Sequence, residues 1–202
     1  RRVDGSPGWF QTIKVPYTRP GSRSKAILGV TIDVTDLKNA ELELARREQR
    51  FRYQAQHDGL TDLPNRALFS DRLGQALALC RREGIKLALV FMDLDHFKEV
   101  NDSLGHEAGD LLLKEVAGRL RASMRSSDSA GRIGGDEFVL FFLGVEGKEA
   151  ALQACEKVRA AIERPFILLG QEARISASLG VSVFPDDGED EAILSRRSDA
   201  AM

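Results

Sequence analysis

Residues 86–94 read Lys-Leu-Ala-Leu-Val-Phe-Met-Asp-Leu, a run that is apolar at seven of its nine positions. It is far shorter than the ~20 apolar residues that span a bilayer. Read as a strand, it sends apolar side chains to both faces of a sheet, so other layers must cover it on both sides. The flanking sequence supplies amphipathic helices for that covering. Asn65 can cap a helix running to about Arg82, with Leu68, Leu73 and Leu77 on its apolar side. A short helix is expected over 96–103, and a longer one over 108–124 with Leu113, Val116, Leu120 and Met124 on one face. Another over 148–162 aligns Leu152, Cys155, Val158 and Ile162. Ser129–Ile133 and Glu137–Leu143 flank Gly134-Gly135, a hairpin signal. Ile175, Ala177, Leu179, Val181 and Val183 alternate along a further strand, which ends at the turn-rich Pro185-Asp186-Asp187-Gly188. A last helix begins near Glu191. The pattern predicts a layered, mixed α/β domain without internal repeats.

The front of the chain follows other rules. Trp9 to Val15 partly alternates, Pro16 to Lys25 reads as a loop, and Ala26 to Val34 is a second strand. Two strands alone are marginal in water, so this segment is expected to complete a sheet whose other strands are missing. From Asp36 to about His57 there is no Gly or Pro, and Thr35 or Asp36 can cap a helix. Leu37, Leu44 and Phe51 recur every seven residues beside Ala40, a stripe suited to pairing with a second copy. The second seam position turns polar at Arg47 and Gln54, so a solvated helix on its own domain is the alternative. At 202 residues, starting from Arg1 without a signal-peptide pattern, the sequence reads as a piece of a longer chain. Lys and Arg number 29 against 31 Asp and Glu, which argues against a broad nucleic-acid or anionic-membrane surface. Cys80 and Cys155 sit in helical apolar patterns without metal-ligand spacing, and are expected to be buried free thiols in a reducing compartment.

Asp93 and Asp95 end the buried strand, and Asp136 and Glu137 sit at the hairpin tip. If the hairpin pairs beside that strand, elements far apart in sequence bring their acids to one edge. Carboxylates crowded in this way repel unless a proton or cation neutralises them. Mg²⁺ suits such a set, since it takes one or two carboxylates and completes its shell with phosphate oxygens. An exposed turn and a solvated strand end would carry the same residues singly. Phe97-Lys98 lies at a helix start, where backbone N–H groups and a Lys charge can hold phosphate. Asn101, His106 and Asp110 follow, expected in a polar loop leading into a helix. An amide and a carboxylate can read a purine edge; ordinary helix capping is the plain alternative.

Gly134-Gly135-Asp136-Glu137-Phe138 spells the GGDEF signature, with chance odds of about one in ten thousand in a chain of this length. His57-Asp58-Gly59-Leu60-Thr61-Asp62-Leu63-Pro64-Asn65-Arg66 resembles the opening motif of the same family. Phe91-Met92-Asp93-Leu94-Asp95-His96-Phe97-Lys98, continuing through Asn101-Asp102 and Gly105-His106 to Gly109-Asp110, resembles its central one. Ser176-Ala177-Ser178-Leu179-Gly180-Val181 and Ser198-Asp199-Ala200-Ala201-Met202 match later segments. Residues 57–202 thus resemble a diguanylate cyclase (GGDEF) domain.

The resemblance implies a nucleotidyl-cyclase fold related to polymerase palms, α/β (α+β), with helices around a mainly antiparallel central sheet. It implies condensation of two GTP into cyclic di-GMP and two pyrophosphates by a homodimer meeting through linker helices and cyclase domains. Mg²⁺, or Mn²⁺ in its place, would be held by Asp93, the Leu94 carbonyl and Asp136, with Glu137 assisting at a second ion. Asp136 would help deprotonate the attacking 3′-hydroxyl, and Lys98 would stabilise phosphate charge. Asn101, His106 and Asp110 match substrate-binding positions, with Asn101 and Asp110 reading guanine. Gly134 and Gly135 would leave room for the triphosphate.

Arg125-Ser126-Ser127-Asp128 begins nine residues before Gly134, the offset at which this family carries its RxxD product-inhibition site for cyclic di-GMP. Trp9, Gly29-Val30 and Asp33-Val34-Thr35 resemble the last strands of a PAS sensor. Residues 1–35 are therefore expected to be a PAS remnant and 36–56 a coiled-coil-like linker. The family's last helix ordinarily continues past the position of Met202 into Tyr-x-Ala-Lys, so the domain is expected to be cut short. Arg164-Pro165-Phe166 and Phe184–Gly188 look like cyclases fused to EAL phosphodiesterases, so a downstream EAL domain is an expected partner. The alternative function is then a non-catalytic domain binding GTP or cyclic di-GMP beside that EAL domain. A polymerase palm shares the chemistry but wants a basic stripe that is absent here. A cytoplasmic location is expected, with membrane attachment left to regions outside this piece.

Overall fold

The computed structural model describes residues 2, 5–18, 20–21 and 25–202. The chain forms two units, 1–53 and 54–202. In the first, strands β1 (Phe10–Thr18) and β2 (Lys25–Asp33) pair antiparallel, with Phe10 opposite Asp33 and Pro16 opposite Ile27. β1 thus takes in Pro16–Thr18, which the sequence reading gave to a loop; Pro is tolerated because the strand is an edge. Residues 19 and 22–24 of that loop lie outside the described residues. Ile13, Val15 and Tyr17 face Val30, Leu28 and Ala26 across the ladder, so one side of the hairpin is almost wholly apolar, and it is exposed.

Helix α1 (Thr35–Gln56) follows. Neither Thr35 nor Asp36 caps it. The Asp33 carboxylate does, accepting from the Thr35 N–H at 2.9 Å and the Thr35 hydroxyl at 2.5 Å. Those hydrogen bonds hold the Asp33 carboxyl below its ordinary value. Leu37, Leu44 and Phe51 are all exposed, 59%, 59% and 69%.

The second unit is built around β3 (Lys86–Leu94). The sheet runs β4 (Ser129–Gly134), β5 (Glu137–Val145), β3, β8 (Ala177–Phe184), antiparallel throughout. The double-sided burial expected from the sequence is realised: Leu87, Ala88, Leu89 and Val90 are all 0% exposed. Ala88, Val90, Met92 and Leu94 pack with α4 (His106–Ser123) and α5 (Lys148–Ile162). Leu87 and Leu89 pack with α2 (Arg66–Glu83) and with Leu194 of α6 (Glu191–Ala201). Both cysteines are buried and free, and burial pushes the Cys155 thiol up to about 11.

Helix limits follow local chemistry. Asn65 caps α2 by accepting from the Leu68 N–H at 3.1 Å, and Gly84, at φ 68°, ends it. Asp190 caps α6 through the Ile193 N–H at 2.8 Å. The short helix expected over 96–103 is α3 (Phe97–Leu104), which contains Asn101. The polar loop expected to lead into the next helix is absent: only Gly105 separates α3 from α4, so His106 opens α4. A small hairpin of β6 (Phe166–Leu168) and β7 (Gln171–Ala173) went unforeseen. Its turn puts Leu169 and Gly170 at φ 50° and 82°. Arg119 secures it: its guanidinium lies 3.5 Å above the Phe166 ring and donates to the carbonyls of Ala161, Ile162, Arg164 and Pro165.

Two close contacts join the covering layers to the sheet. A side chain at Gly180 of β8 would overlap the Ser198 carbonyl oxygen of α6, so the helix lies directly on the strand. Ser198 hydroxyl donates to the Leu194 carbonyl at 2.7 Å and stands 2.8 Å from the Ser182 hydroxyl, in full burial. On the other flank, Arg132 of β4 pairs with Asp58 at 2.9 Å, with both side chains largely covered. Burial pushes the Asp58 carboxyl up, but hydrogen bonds from the Thr61 hydroxyl and N–H and from Arg132 outweigh it and bring it below 3.8.

Two outcomes follow. Gly180→Ala forces α6 off β8 and should cost about 1–3 kcal/mol, read as a lower urea midpoint at unchanged slope. Because the folded carboxyl of Asp58 is depressed, its contribution is fully present above the ordinary value of 3.8 and lost as pH falls through the folded value. Asp58→Asn should therefore melt below wild type at neutral pH, and the gap should close only under pH 3.8.

Candidate active site

β3 is the middle strand of the sheet, and its polar end is where the candidate residues gather. Asp93 pairs with Glu137 of β5 on one side and Ser178 of β8 on the other. The expectation that the hairpin would bring its acids beside the strand end holds, because β5 lies directly next to β3. Gly134 and Gly135 carry φ of 155° and 50°, and the turn they make leaves Asp136 at the tip. Neither glycine has an atom within 4 Å of where a side chain would start, so the space beside the turn is open as well. β4 is irregular between Arg132 and Gly134, a bulge that re-aims the turn. Arg132 then braces it, donating through Nε and NH2 to the Gly135 carbonyl at 2.9 and 2.7 Å. The sequence reading passed over Arg132; its position two residues before the glycines was the available signal.

The electrostatics separate the four carboxylates. Asp93 is pushed above its ordinary value, first by burial, then by the charges of Asp136, Glu137 and Asp95. Its side chain has no hydrogen bond or ion pair among the described residues. Asp95 is the opposite case. Ser176 and Ser178 hydroxyls donate to its two oxygens at 2.6 and 2.7 Å, and the Ser176 bond leads in holding it below its ordinary value. Asp136 and Glu137, like Asp93, have no side-chain hydrogen bond or ion pair among the described residues. The described residues contain no group of three His, Cys, Asp or Glu side chains poised to ligate a metal. A hard cation taking two carboxylates and a carbonyl, and completing its shell from phosphate, fits the donors present and would relieve the repulsion on Asp93.

α3 starts directly beyond β3. Its first residue is preceded by His96 at φ 61°, and no side chain caps the helix. The Glu99 N–H donates to the His96 carbonyl at 2.9 Å, which leaves the Phe97 and Lys98 N–H groups at the helix start, and Lys98 stands exposed in the first turn. Asn101 lies one turn on, half-buried against Gly109 of α4. Any side chain at Gly109 would overlap the Asn101 amide, so this glycine makes room for it. Asp110 and His106, both exposed, belong to the first turns of α4. α3 and α4 pack together, so Asn101, His106 and Asp110 are brought to one helix pair, next to the strand end that carries Asp93.

Arg125 and Asp128 lie apart from this group, between α4 and β4. Asp128 is fixed from several directions: Oδ2 accepts from the Arg125 N–H at 3.0 Å, and Oδ1 accepts from Leu143 N–H at 3.2 Å. The Arg125 guanidinium is exposed, and with Asp128, Gln153 and Lys157 it lines a cavity of about 260 Å³ between α4, β5 and α5.

A profile of the family described as diguanylate cyclase, GGDEF domain, matches residues 55–202. The bifunctional diguanylate cyclase/cyclic di-GMP phosphodiesterase MucR of Pseudomonas aeruginosa is 42% identical over 197 residues, which cover 96% of this chain and 29% of that protein. Diguanylate cyclase TpbB of the same species is 36% identical over 83% of this chain and 39% of its own length. The chain therefore spans less than half the length of these curated relatives. The crystal structure of the coiled coil and GGDEF domain of DgcB from Caulobacter crescentus, in complex with c-di-GMP, superposes with a TM-score of 0.70. It is 30% identical and covers 81% of this chain and 87% of that one. The sheet and its helices are accordingly the palm-like cyclase fold, and the chain belongs to the GGDEF family of diguanylate cyclase domains.

Proposed function

We propose that residues 57–202 bind GTP and condense two molecules of it into cyclic di-GMP with release of two pyrophosphates. The observation that carries this reading is the strand end itself. Lys98 is present just beyond it, and Asp136, Glu137 and Asp95 crowd the Asp93 carboxyl, which burial first and then their charges push upward. A structural acid cluster would be neutralised by partners within the protein, as Asp95 is.

In this reading Lys98 and the N–H groups at the start of α3 hold the phosphates, Asp110 accepts from the guanine N1–H and N2–H, and the Asn101 amide donates and accepts along the same base. His106 opens the same helix and lines the base side. Asp93, the Leu94 carbonyl and Asp136 hold Mg²⁺ or Mn²⁺, which when bound neutralises phosphate charge and favours in-line displacement. Asp136 takes the proton of the attacking 3′-hydroxyl, Glu137 would assist at a second ion, and Gly134 and Gly135 let the backbone lie against the triphosphate. Each 3′-oxygen forms a bond to the partner nucleotide's α-phosphorus as the bond to the β-phosphate oxygen breaks. One domain presents one such site, so turnover takes two copies face to face. The exposed stripe of Leu37, Leu44 and Phe51 on α1 is the surface that would pair them.

Arg125 and Asp128 form the inhibitory site, with the guanidinium free to take product and the carboxylate already held in place. Likeness to MucR favours an attached phosphodiesterase domain in the parent protein. The intact carboxylates and Lys98 favour a cyclase over a silent binding module. Residues 1–35 are read as the end of a PAS sensor feeding α1.

The deciding measurement is incubation with GTP and Mg²⁺ followed by product chromatography. Cyclic di-GMP should form, and Asp136→Ala should reduce its rate by about 10²–10⁴-fold. Guanine-nucleotide binding without product would leave only the silent-module reading. Arg125→Ala should keep the initial rate while abolishing its slowing as cyclic di-GMP accumulates; a progress curve as bent as wild type would remove the inhibitory assignment.

A further inference from the structure

Asp93 and Asp95 stand two residues apart at the same strand end, and the sequence reading, which set Asp93 at the metal, left Asp95 without a task. The structure offers it one. Asp95 sits in the turn between β3 and α3, and three hydrogen bonds fasten that turn to the segment entering β8. Ser176 hydroxyl donates to Oδ2 at 2.6 Å, Ser178 hydroxyl to Oδ1 at 2.7 Å, and the Asp95 N–H donates to the Ser176 carbonyl at 3.0 Å. We propose that Asp95 is a positioning residue, which clamps the β3–α3 turn to Ser176 and Ser178 and thereby sets Lys98 and Asn101 in place relative to Asp93, without itself holding a metal ion.

Two features make the clamp necessary. His96 follows Asp95 in a left-handed conformation, φ 61°, that a non-glycine residue keeps only when its surroundings impose it. Its own side chain does not cap α3; it pairs instead with Glu99 at 2.8 Å. α3 is also weakly anchored. It has eight residues and no fully buried one; Phe97, Val100 and Leu104 only lean on the core. The direction in which α3 leaves the sheet is thus governed at its first turn. β3 is consequently gripped from both flanks near Asp93: β5 brings Glu137 on one side, and β8 brings the serines on the other. An ionised carboxylate suits the task because it accepts from two hydroxyls at once, in short charge-assisted bonds.

The clamp itself is independent of activity, and only the kinetic arm rests on the cyclase reading. Hydrogen exchange of the chain is compared for wild type, Asp95→Ala, Asp95→Asn and the double variant Ser176→Ala/Ser178→Ala. Asp95→Ala and the double serine variant should each speed exchange over 97–104 at least tenfold, leaving β5 unchanged. Asp95→Asn, whose amide can accept from one serine and donate to the other, should stay within about threefold of wild type. With GTP and Mg²⁺, Asp95→Ala and the serine variant should raise KM by about tenfold, in the range seen for supporting residues, while Asp95→Asn keeps at least a third of wild-type kcat/KM. Combining Asp95→Ala with the serine changes should add nothing further, since all three remove one contact.

An Asp95→Asn variant as inactive as Asp95→Ala would make Asp95 a metal ligand and overturn the proposal. Unchanged exchange over 97–104 in the serine variant, or additive losses in the triple variant, would overturn it equally. If Asp95→Ala fails to fold, the serine variant removes the same hydrogen bonds and decides the matter. A wild type that makes no cyclic di-GMP would defeat the cyclase reading alone, with the exchange comparison still deciding the clamp.

Discussion

Everything in the larger unit hangs on the burial of β3 from both sides. Alternate residues of one strand fill two separate cores, Ala88, Val90, Met92 and Leu94 toward α4 and α5, and Leu87 and Leu89 toward α2 and α6. At roughly 25 cal/mol for each Å² of apolar surface removed from water, a strand buried in this way is held far more firmly than any loop at its end. A rigid strand is also a good place from which to hold a charge. Asp93 continues the face of Leu87 and Leu89, so it is presented by the best-packed element of the molecule. The hairpin tip and the short α3, by contrast, have little buried surface of their own.

Placing a carboxylate there has an electrostatic cost. Asp93 is partly desolvated and faces Asp136, Glu137 and Asp95, so its charged form is disfavoured until something positive arrives. Asp95 adds to that repulsion while its own charge is spent on two serine hydroxyls. One strand end thus contains a satisfied acid and an unsatisfied one, and that contrast supports the proposed cation site.

Much of this was legible in the sequence. The long periodic or wholly apolar segments were read with their limits nearly intact, 86–94 and 148–162 above all, because each is fixed by many residues at once. The failures have local causes. β6 and β7 are three residues each, too short to show a period, and their stability comes from Arg119, more than 40 residues away in sequence. The cap of the helix starting at Thr35 was assigned to Thr35 or Asp36, because Asp33 sits in the preceding strand and reaches forward. His106 was placed in a loop because polar residues and Gly105 look like one, although a single glycine is all that separates the two helices. At the site, the signature and the central acids could be read, and the resemblance set Asp93 rather than Asp95 at the metal, whereas the attachment of Asp95 could not be seen. The serines that hold it lie 81 and 83 residues downstream.

The packing of the opening motif against β4 has a consequence of another kind. β4 is an outer strand, and an outer strand with free N–H groups invites a stray strand to add on. Here the Arg132 N–H is already bonded to the Pro64 carbonyl at 3.0 Å, and a side chain at Gly131 would come within 2.9 Å of that same oxygen. The bulge after Arg132 spoils the remaining register. The loop before α2 therefore acts as a guard rail along the sheet: the edge nearest the signature turn is closed to edge-to-edge aggregation by the chain's own backbone.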